Sequence, residues 1–148
     1  VLSWSDNMNN IHRTLLIALG ALCAQAAMAQ VAVVVGAKSP AAALSAEQAA
    51  GLFLGKSDQL PGVGTALLLD QGESSAVREQ FYTKVTGKSA SQVKAAWSRL
   101  VFSGKATPPK EIASSAEVKH LVAANPNAVG YIEKSAVDAT VKVLLSVD

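Results

Sequence analysis

The feature that most constrains the fold is an unbroken apolar run, Val31 to Val35, which ends at Gly36. A strand with one face in water would alternate apolar and polar residues, so a continuous β-branched run predicts a strand buried on both faces. We therefore expect a central strand in a sheet that is covered by other elements on each side.

Helix signals and further strands alternate along the rest of the chain. Ser45 with Gln48, and Ser89 with Gln92, have the spacing of capping boxes, and Ser114 with Glu117 has the same spacing. Apolar residues at four-residue spacing predict another helix from Ser75 to a stop at Gly87. Strands are expected at three places: Thr65 to Leu69, Ala128 to Ile132 and Val141 to Val147. This alternation indicates an α/β domain of three layers with a mainly parallel sheet.

The N-terminal residues have the pattern of a secretory signal peptide. A polar, basic segment follows Met8, an apolar run extends from Thr14 to Ala27, and Ala27-Met28-Ala29 matches an A-x-A cleavage site. We expect a signal peptide from Met8 to Ala29, upstream residues before it, and a domain spanning residues 30–148. The predicted product is a soluble periplasmic protein without a stable membrane anchor.

Composition argues against several classes of function. The chain has 13 basic and 11 acidic residues, a balance too even for nucleic-acid binding. Its one cysteine, Cys23, lies in the predicted signal peptide, and His120 is the only histidine after it, so no cofactor or metal set is expected. No G-x-S-x-G motif of a serine hydrolase is present, and no two carboxylates have a spacing that suggests acid–base catalysis. We therefore expect no enzyme activity.

The segment from Thr65 to Gly87 is the best candidate for binding. Here a predicted strand breaks at Asp70-Gln71-Gly72-Glu73 into a helix that is opened by Ser74 and Ser75. The start of a helix offers unpaired N–H groups and positive potential to an anion, and Arg78 could add a guanidinium. The alternative is that a serine only caps the helix and that Arg78 pairs with a carboxylate such as Asp70.

Three segments together resemble the phosphate-type substrate-binding proteins of ABC transporters. The family shows an F-x-G helix end, an S-G-T-x-x-x-x-F helix start and an N-x-x-A-I-G-Y strand, in that order. The matching segments here are Leu52-Phe53-Leu54-Gly55-Lys56, Glu73-Ser74-Ser75-Ala76-Val77-Arg78-Glu79-Gln80-Phe81 and Asn125-Pro126-Asn127-Ala128-Val129-Gly130-Tyr131-Ile132. The resemblance implies a type 2 periplasmic binding protein-like fold in shortened form.

The resemblance also implies a ligand and the residues that hold it. It implies binding of a small oxyanion, with phosphate first, and delivery to an ABC transporter permease. The implied ligand residues are Lys38 and Ser39 after the first strand and Ser74, Ser75 and Ala76 at the helix start, with Arg78 added by the argument above.

Several positions depart from the family pattern. Asp70 stands where the family has arginine, Gly72 where it has aspartate, Ser75 where it has glycine, and Ala76 where it has threonine. These departures and the short chain leave a second interpretation open, a non-enzymatic interaction module of the cell envelope that keeps the fold without the ligand.

Overall fold

A computed structural model describes residues 30–148, and the predicted signal peptide with the residues before it lies outside them. Seven strands and four α-helices are present in this range. The strands are β1 (Val31–Gly36), β2 (Gln59–Leu60), β3 (Gly64–Thr65), β4 (Leu67–Gln71), β5 (Lys110–Ile112), β6 (Ala128–Glu133) and β7 (Val141–Val147). The helices are α1 (Ala46–Phe53), α2 (Ala76–Phe81), α3 (Ala90–Phe102) and α4 (Ser115–Ala124). A π-helical segment, Tyr82–Thr86, continues α2, and a 3-10 turn, Lys134–Ala136, follows β6.

Five strands form one sheet in the order β5-β4-β6-β1-β7, and β2 and β3 form a separate hairpin. Strands β5, β4 and β6 are parallel, whereas β1 is antiparallel to both β6 and β7. Four of the five strands therefore run in one direction, which confirms the prediction of a mainly parallel sheet. The strand at the centre is β6, and β1 lies one place from it.

Helices cover both faces of the sheet, which confirms the three-layer α/β prediction. Side chains of α1, α2 and α3 pack with Val31, Val33 and Val35 on one face, and side chains of α4 pack with Ala32 and Val34 on the other. Because successive residues of β1 point to opposite faces, all of Val31 to Val35 are buried.

Local helix signals are confirmed closely. Both Ser45 with Gln48 and Ser89 with Gln92 form complete capping boxes, whereas Ser114 caps α4 without the reciprocal Glu117 side-chain bond that a box requires. Gly87 ends the π-helical segment with a φ of 70°, in the left-handed region.

Strand boundaries around β4 are the main correction. The sequence predicted a strand from Thr65 to Leu69 that breaks at Asp70, but β4 runs from Leu67 to Gln71. Asp70 and Gln71 are therefore buried strand residues that pair with Glu111 and Ile112 of β5, a strand that the sequence did not predict.

Candidate functional site

The serine-rich start of α2 lies directly beyond the carboxyl end of β4. Ser75 is the N-cap residue: its Oγ accepts a hydrogen bond from the Arg78 N–H at 3.3 Å and donates one to Gln71 Oε1 at 2.9 Å. Ser74 is exposed just outside the helix, and Ala76 is its exposed first residue. The capping role of Ser75 is thus confirmed, and its hydroxyl is already engaged on both sides.

The start of α4, predicted at Ser114, lies beside the start of α2, a neighbourhood that the sequence did not predict. Ser114 caps α4, and its Oγ accepts a hydrogen bond from the Glu117 N–H at 3.3 Å. The Gln71 side chain joins the two helix starts, because its amide oxygen accepts from Ser75 and its amide nitrogen donates to Ser115 Oγ at 3.1 Å. The same nitrogen also donates to the Tyr131 carbonyl at 3.0 Å, which fixes the amide orientation.

Between the two helix starts lies an open groove of about 470 Å³, called here the serine groove. Its polar lining consists of Ser74, Ser75, Ser114, Ser115, Gln71 and the exposed carboxylate of Glu133. Since the first N–H groups of a helix have no carbonyl partner within it, two helix starts and the hydroxyls of Ser74, Ser114 and Ser115 offer several donors to one ligand. The groove is therefore suited to a small oxyanion.

Arg78 does not line the serine groove. Its side chain is packed with Asp70, Nε lying 3.5 Å from Asp70 Oδ1, and both side chains are largely buried, at 11% and 12% exposure. The guanidinium carbon also stands 5.6 Å from the ring centroid of Tyr82. The pairing of Arg78 with Asp70, one of the two alternatives, is the arrangement in the structure, although the pair is buried rather than at the surface.

Lys38 and Ser39 lie at the other end of the sheet. Because β1 is antiparallel to β6, its carboxyl end lies beside the start of β6, whereas the serine groove lies beyond the ends of β4 and β6. Ser39 is buried and its Oγ donates to the Pro126 carbonyl at 3.0 Å, while Lys38 is exposed. The structure thus brings Ser74, Ser75 and Ala76 together but places Lys38, Ser39 and Arg78 elsewhere.

Asp70 is the centre of a buried polar cluster that the sequence analysis missed. Its Oδ2 accepts a hydrogen bond from the Tyr82 hydroxyl at 2.7 Å, and its Oδ1 accepts from the Gln71 N–H at 2.8 Å and from the Tyr131 hydroxyl. Part of a signal was present in the sequence, because Tyr131 stands in a predicted strand and a buried hydroxyl needs a partner.

Burial raises the pKa of both Tyr82 and Tyr131 well above the ordinary tyrosine value, and the negative charge of Asp70 raises each pKa further. Both hydroxyls therefore remain protonated donors in the folded protein.

Among residues 30–148, no group of three or more His, Cys, Asp and Glu side chains could hold a metal ion. No helix in that same range is long and apolar enough to cross a bilayer.

These pKa shifts predict an alkaline transition. Tyr82 and Tyr131 are the only tyrosines of the chain, so tyrosinate absorbance reports on this cluster alone. The tyrosine pKa in the unfolded chain is about 10, and below that pH each raised pKa contributes its full stabilisation of the fold. Above it, the free energy of unfolding falls by about 1.4 kcal/mol per tyrosine for each pH unit. We expect tyrosinate to be absent from the folded protein above pH 10 and to appear only together with loss of far-ultraviolet circular dichroism. A gradual titration near pH 10 in the folded protein would contradict the buried cluster.

No protein-family model matches the chain, and no curated protein sequence matches it either. Solved structures do share its fold. An ABC-type phosphate transport receptor from Vibrio cholerae is 25% identical with a TM-score of 0.62, and the match covers 78% of this chain and 46% of that one. A Clostridium perfringens protein described as a phosphate ABC transporter substrate-binding protein, with bound phosphate, is 22% identical with a TM-score of 0.62 and 45% of its length covered. PstS from Borrelia burgdorferi has a TM-score of 0.56 at 14% identity, with 47% of its length covered.

These matches confirm the resemblance at the level of the fold. The chain has a periplasmic binding protein-like α/β fold and spans less than half the length of the solved structures that it matches. The Clostridium perfringens and Vibrio cholerae proteins are described as a substrate-binding protein and a transport receptor.

Proposed function

We propose that the protein is an exported, non-enzymatic solute-binding protein whose serine groove holds a small oxyanion, with phosphate first among the candidates. The observation that carries the proposal is the meeting of two serine-capped helix starts, those of α2 and α4, on one groove. We further propose that it acts with an ABC transporter permease in the periplasm. The names of two structural neighbours, those from Clostridium perfringens and Vibrio cholerae, support phosphate as the first ligand to test.

The groove offers donors without requiring the fold to change. Gln71 holds both helix starts at a fixed separation through Ser75 and Ser115, so their N–H groups are already oriented. Ser74 is exposed beside them, and its hydroxyl can turn toward a ligand. A site that is already ordered loses little conformational entropy on binding, which favours affinity for a small anion.

A second candidate function is an envelope interaction module that does not bind the anion. The observation favouring it is that the charged groups near the carboxyl end of β4 are occupied with one another: Arg78 pairs with Asp70 instead of facing the serine groove. Glu133 adds an exposed carboxylate to the groove, and a carboxylate opposes a fully ionised oxyanion.

Calorimetric titration of the purified protein distinguishes the two functions. We expect saturable binding of phosphate at low salt, with a dissociation constant on the order of micromolar or below. Ala76→Asp places a carboxylate at the groove in a helix position that tolerates acidic residues, so the fold is kept while affinity falls by about 10-fold or more.

The matched control is Ser91→Asp, which adds the same charge to the exposed first turn of α3, away from the serine groove. Its affinity for phosphate should equal that of the wild type. No binding of phosphate, sulfate or another oxyanion by a folded sample would favour the interaction module. Binding that Ala76→Asp leaves unchanged would remove the serine groove as the site.

A further inference from the structure

Glu133 gives the serine groove a negative charge that nothing in the groove balances. It is the last residue of β6, and its carboxylate forms no ion pair within residues 30–148. Its side chain lies on the α2 face of the sheet, because it follows Tyr131 by two positions and the ring of Tyr131 stacks on Phe81 of α2 at 4.1 Å between centroids. Among residues 30–148, no lysine or arginine lines the groove.

The two sides of the serine groove therefore suit opposite charges. The starts of α4, which has ten residues, and of α2, which the π-helical segment prolongs to Thr86, offer N–H groups and positive potential. Glu133 offers a full negative charge across the same groove. A ligand that is only an anion gains the donors but is repelled by Glu133, whereas a ligand that also has a cationic group is attracted by both sides.

The size of the groove also favours a ligand larger than an inorganic anion. Its volume is about 470 Å³, and a cavity of about 150 Å³ already holds a benzene ring. The apolar residues of its lining are all small or short, namely Ala76, Val77, Ala113 and Ala116. Between the helix starts and Glu133 there is thus room for a short carbon chain that joins an anionic group to a cationic one.

We infer that the serine groove takes small organic phosphates that carry an ammonium group. The phosphate lies at the two helix starts and the ammonium group pairs with Glu133. The inference rests on the proposed function, since it names the class of ligand for the same groove. It also gives Glu133 a role, because the carboxylate that opposes a simple oxyanion selects one that brings its own positive charge.

Calorimetric titration with O-phosphoethanolamine and with ethyl phosphate tests the inference. The two ligands share the phosphate and the two-carbon chain and differ in the ammonium group. At about pH 8 both phosphates are dianions, because their second pKa is about 6, and the amine is still protonated. We expect phosphoethanolamine to bind about 5-fold more tightly than ethyl phosphate at low salt, and the ratio to fall at high salt.

Glu133→Gln keeps the size of the side chain and removes its charge. It should weaken the binding of phosphoethanolamine and strengthen that of ethyl phosphate, so that the ratio of their affinities falls to about 1. A merely structural role of Glu133 would change both affinities in the same direction. The matched control is Glu47→Gln, the same change at an exposed carboxylate in the first turn of α1, outside the groove. It should leave the ratio unchanged.

A third ligand distinguishes the two sources of this chemistry. Glycerophosphoethanolamine has the phosphodiester of a lipid headgroup, with one negative charge on its phosphate. Because a free phosphomonoester presents two charges to the helix starts, we expect it to bind more weakly than phosphoethanolamine. Tighter binding of the diester would overturn the assignment to a free phosphomonoester in favour of a lipid headgroup.

The outcomes separate this inference from the proposed function. Equal affinities of the wild type for phosphoethanolamine and ethyl phosphate would overturn the inference and leave the proposed oxyanion site in place. A preference that Glu133→Gln leaves unchanged would do the same. A folded sample that binds none of phosphoethanolamine, ethyl phosphate and inorganic phosphate would overturn the proposed function and the inference with it.

Discussion

Asp70→Ala is expected to lower the free energy of unfolding by about 3–5 kcal/mol, because it removes one partner of a buried ion pair. The substitution leaves the Arg78 guanidinium buried without its carboxylate. It also leaves the hydroxyls of Tyr82 and Tyr131 without their acceptor. Each unsatisfied buried donor adds a desolvation cost, which is why the effect exceeds that of one hydrogen bond.

Urea denaturation followed by circular dichroism measures this loss. Asp70→Asn keeps an acceptor oxygen of the same shape and should cost less than alanine, although Arg78 still loses its counter-charge. The control is Asp58→Ala at an exposed aspartate of the β2 region, expected to lie within about 0.5 kcal/mol of the wild type. A loss below about 1 kcal/mol for Asp70→Ala would mean that the cluster does not hold the end of β4 in place.

Gly36→Ala is the second substitution with a large expected effect, about 3 kcal/mol of destabilisation or more. A Cβ atom at Gly36 would lie 2.4 Å from the Val122 carbonyl oxygen and 3.2 Å from the Ala123 Cα. Both are main-chain atoms of α4, so no side chain can turn aside and the whole helix would have to move away from β1. Dense packing on that face, where Val34, Val118 and Val122 are buried together, would be lost with it.

The control for this prediction is Gly51→Ala in α1. A Cβ there would meet no atom within 4 Å, and alanine favours a helix interior over glycine by about 0.5–1 kcal/mol. The two glycine substitutions should therefore shift the urea midpoint in opposite directions. Equal midpoints for the two variants would show that α4 does not approach β1 as closely as the structure has it.

The sequence predicted best those features that depend on neighbouring residues. The capping boxes at Ser45 and Ser89, and the helix stop at Gly87, are formed by hydrogen bonds and dihedral angles within a few residues. Their signals are therefore complete in the local sequence. Burial of Val31 to Val35 was also predictable, because an unbroken apolar run cannot face water on either side of a sheet.

The sequence could not predict which distant segments meet. The extension of β4 to Gln71 depends on β5, some 40 positions later in the chain, which supplies the hydrogen bonds that keep Asp70 and Gln71 extended. Turn-forming residues at 70–73 favoured a loop, and the strand pairing overrode that preference. The direction of β1 was likewise decided by its pairing with β6 and β7 and not by its own residues.

The candidate site divides in the same way. Ser74, Ser75 and Ala76 were identified from one local pattern, a strand end followed by a serine-capped helix, and they do lie together. Ser114 and Ser115 joined them only through the parallel pairing of β4 with β5, which brings the start of α4 beside that of α2. Because β1 is antiparallel, Lys38 and Ser39 lie at the other end of the sheet. Arg78 pairs with the buried Asp70 and therefore does not face the serines. The sequence by itself thus determined the helix start that we propose as the anion site, because its donors lie on adjacent residues. Tertiary structure alone decided what faces that helix start, because strand order and direction arise from contacts between residues far apart in the chain.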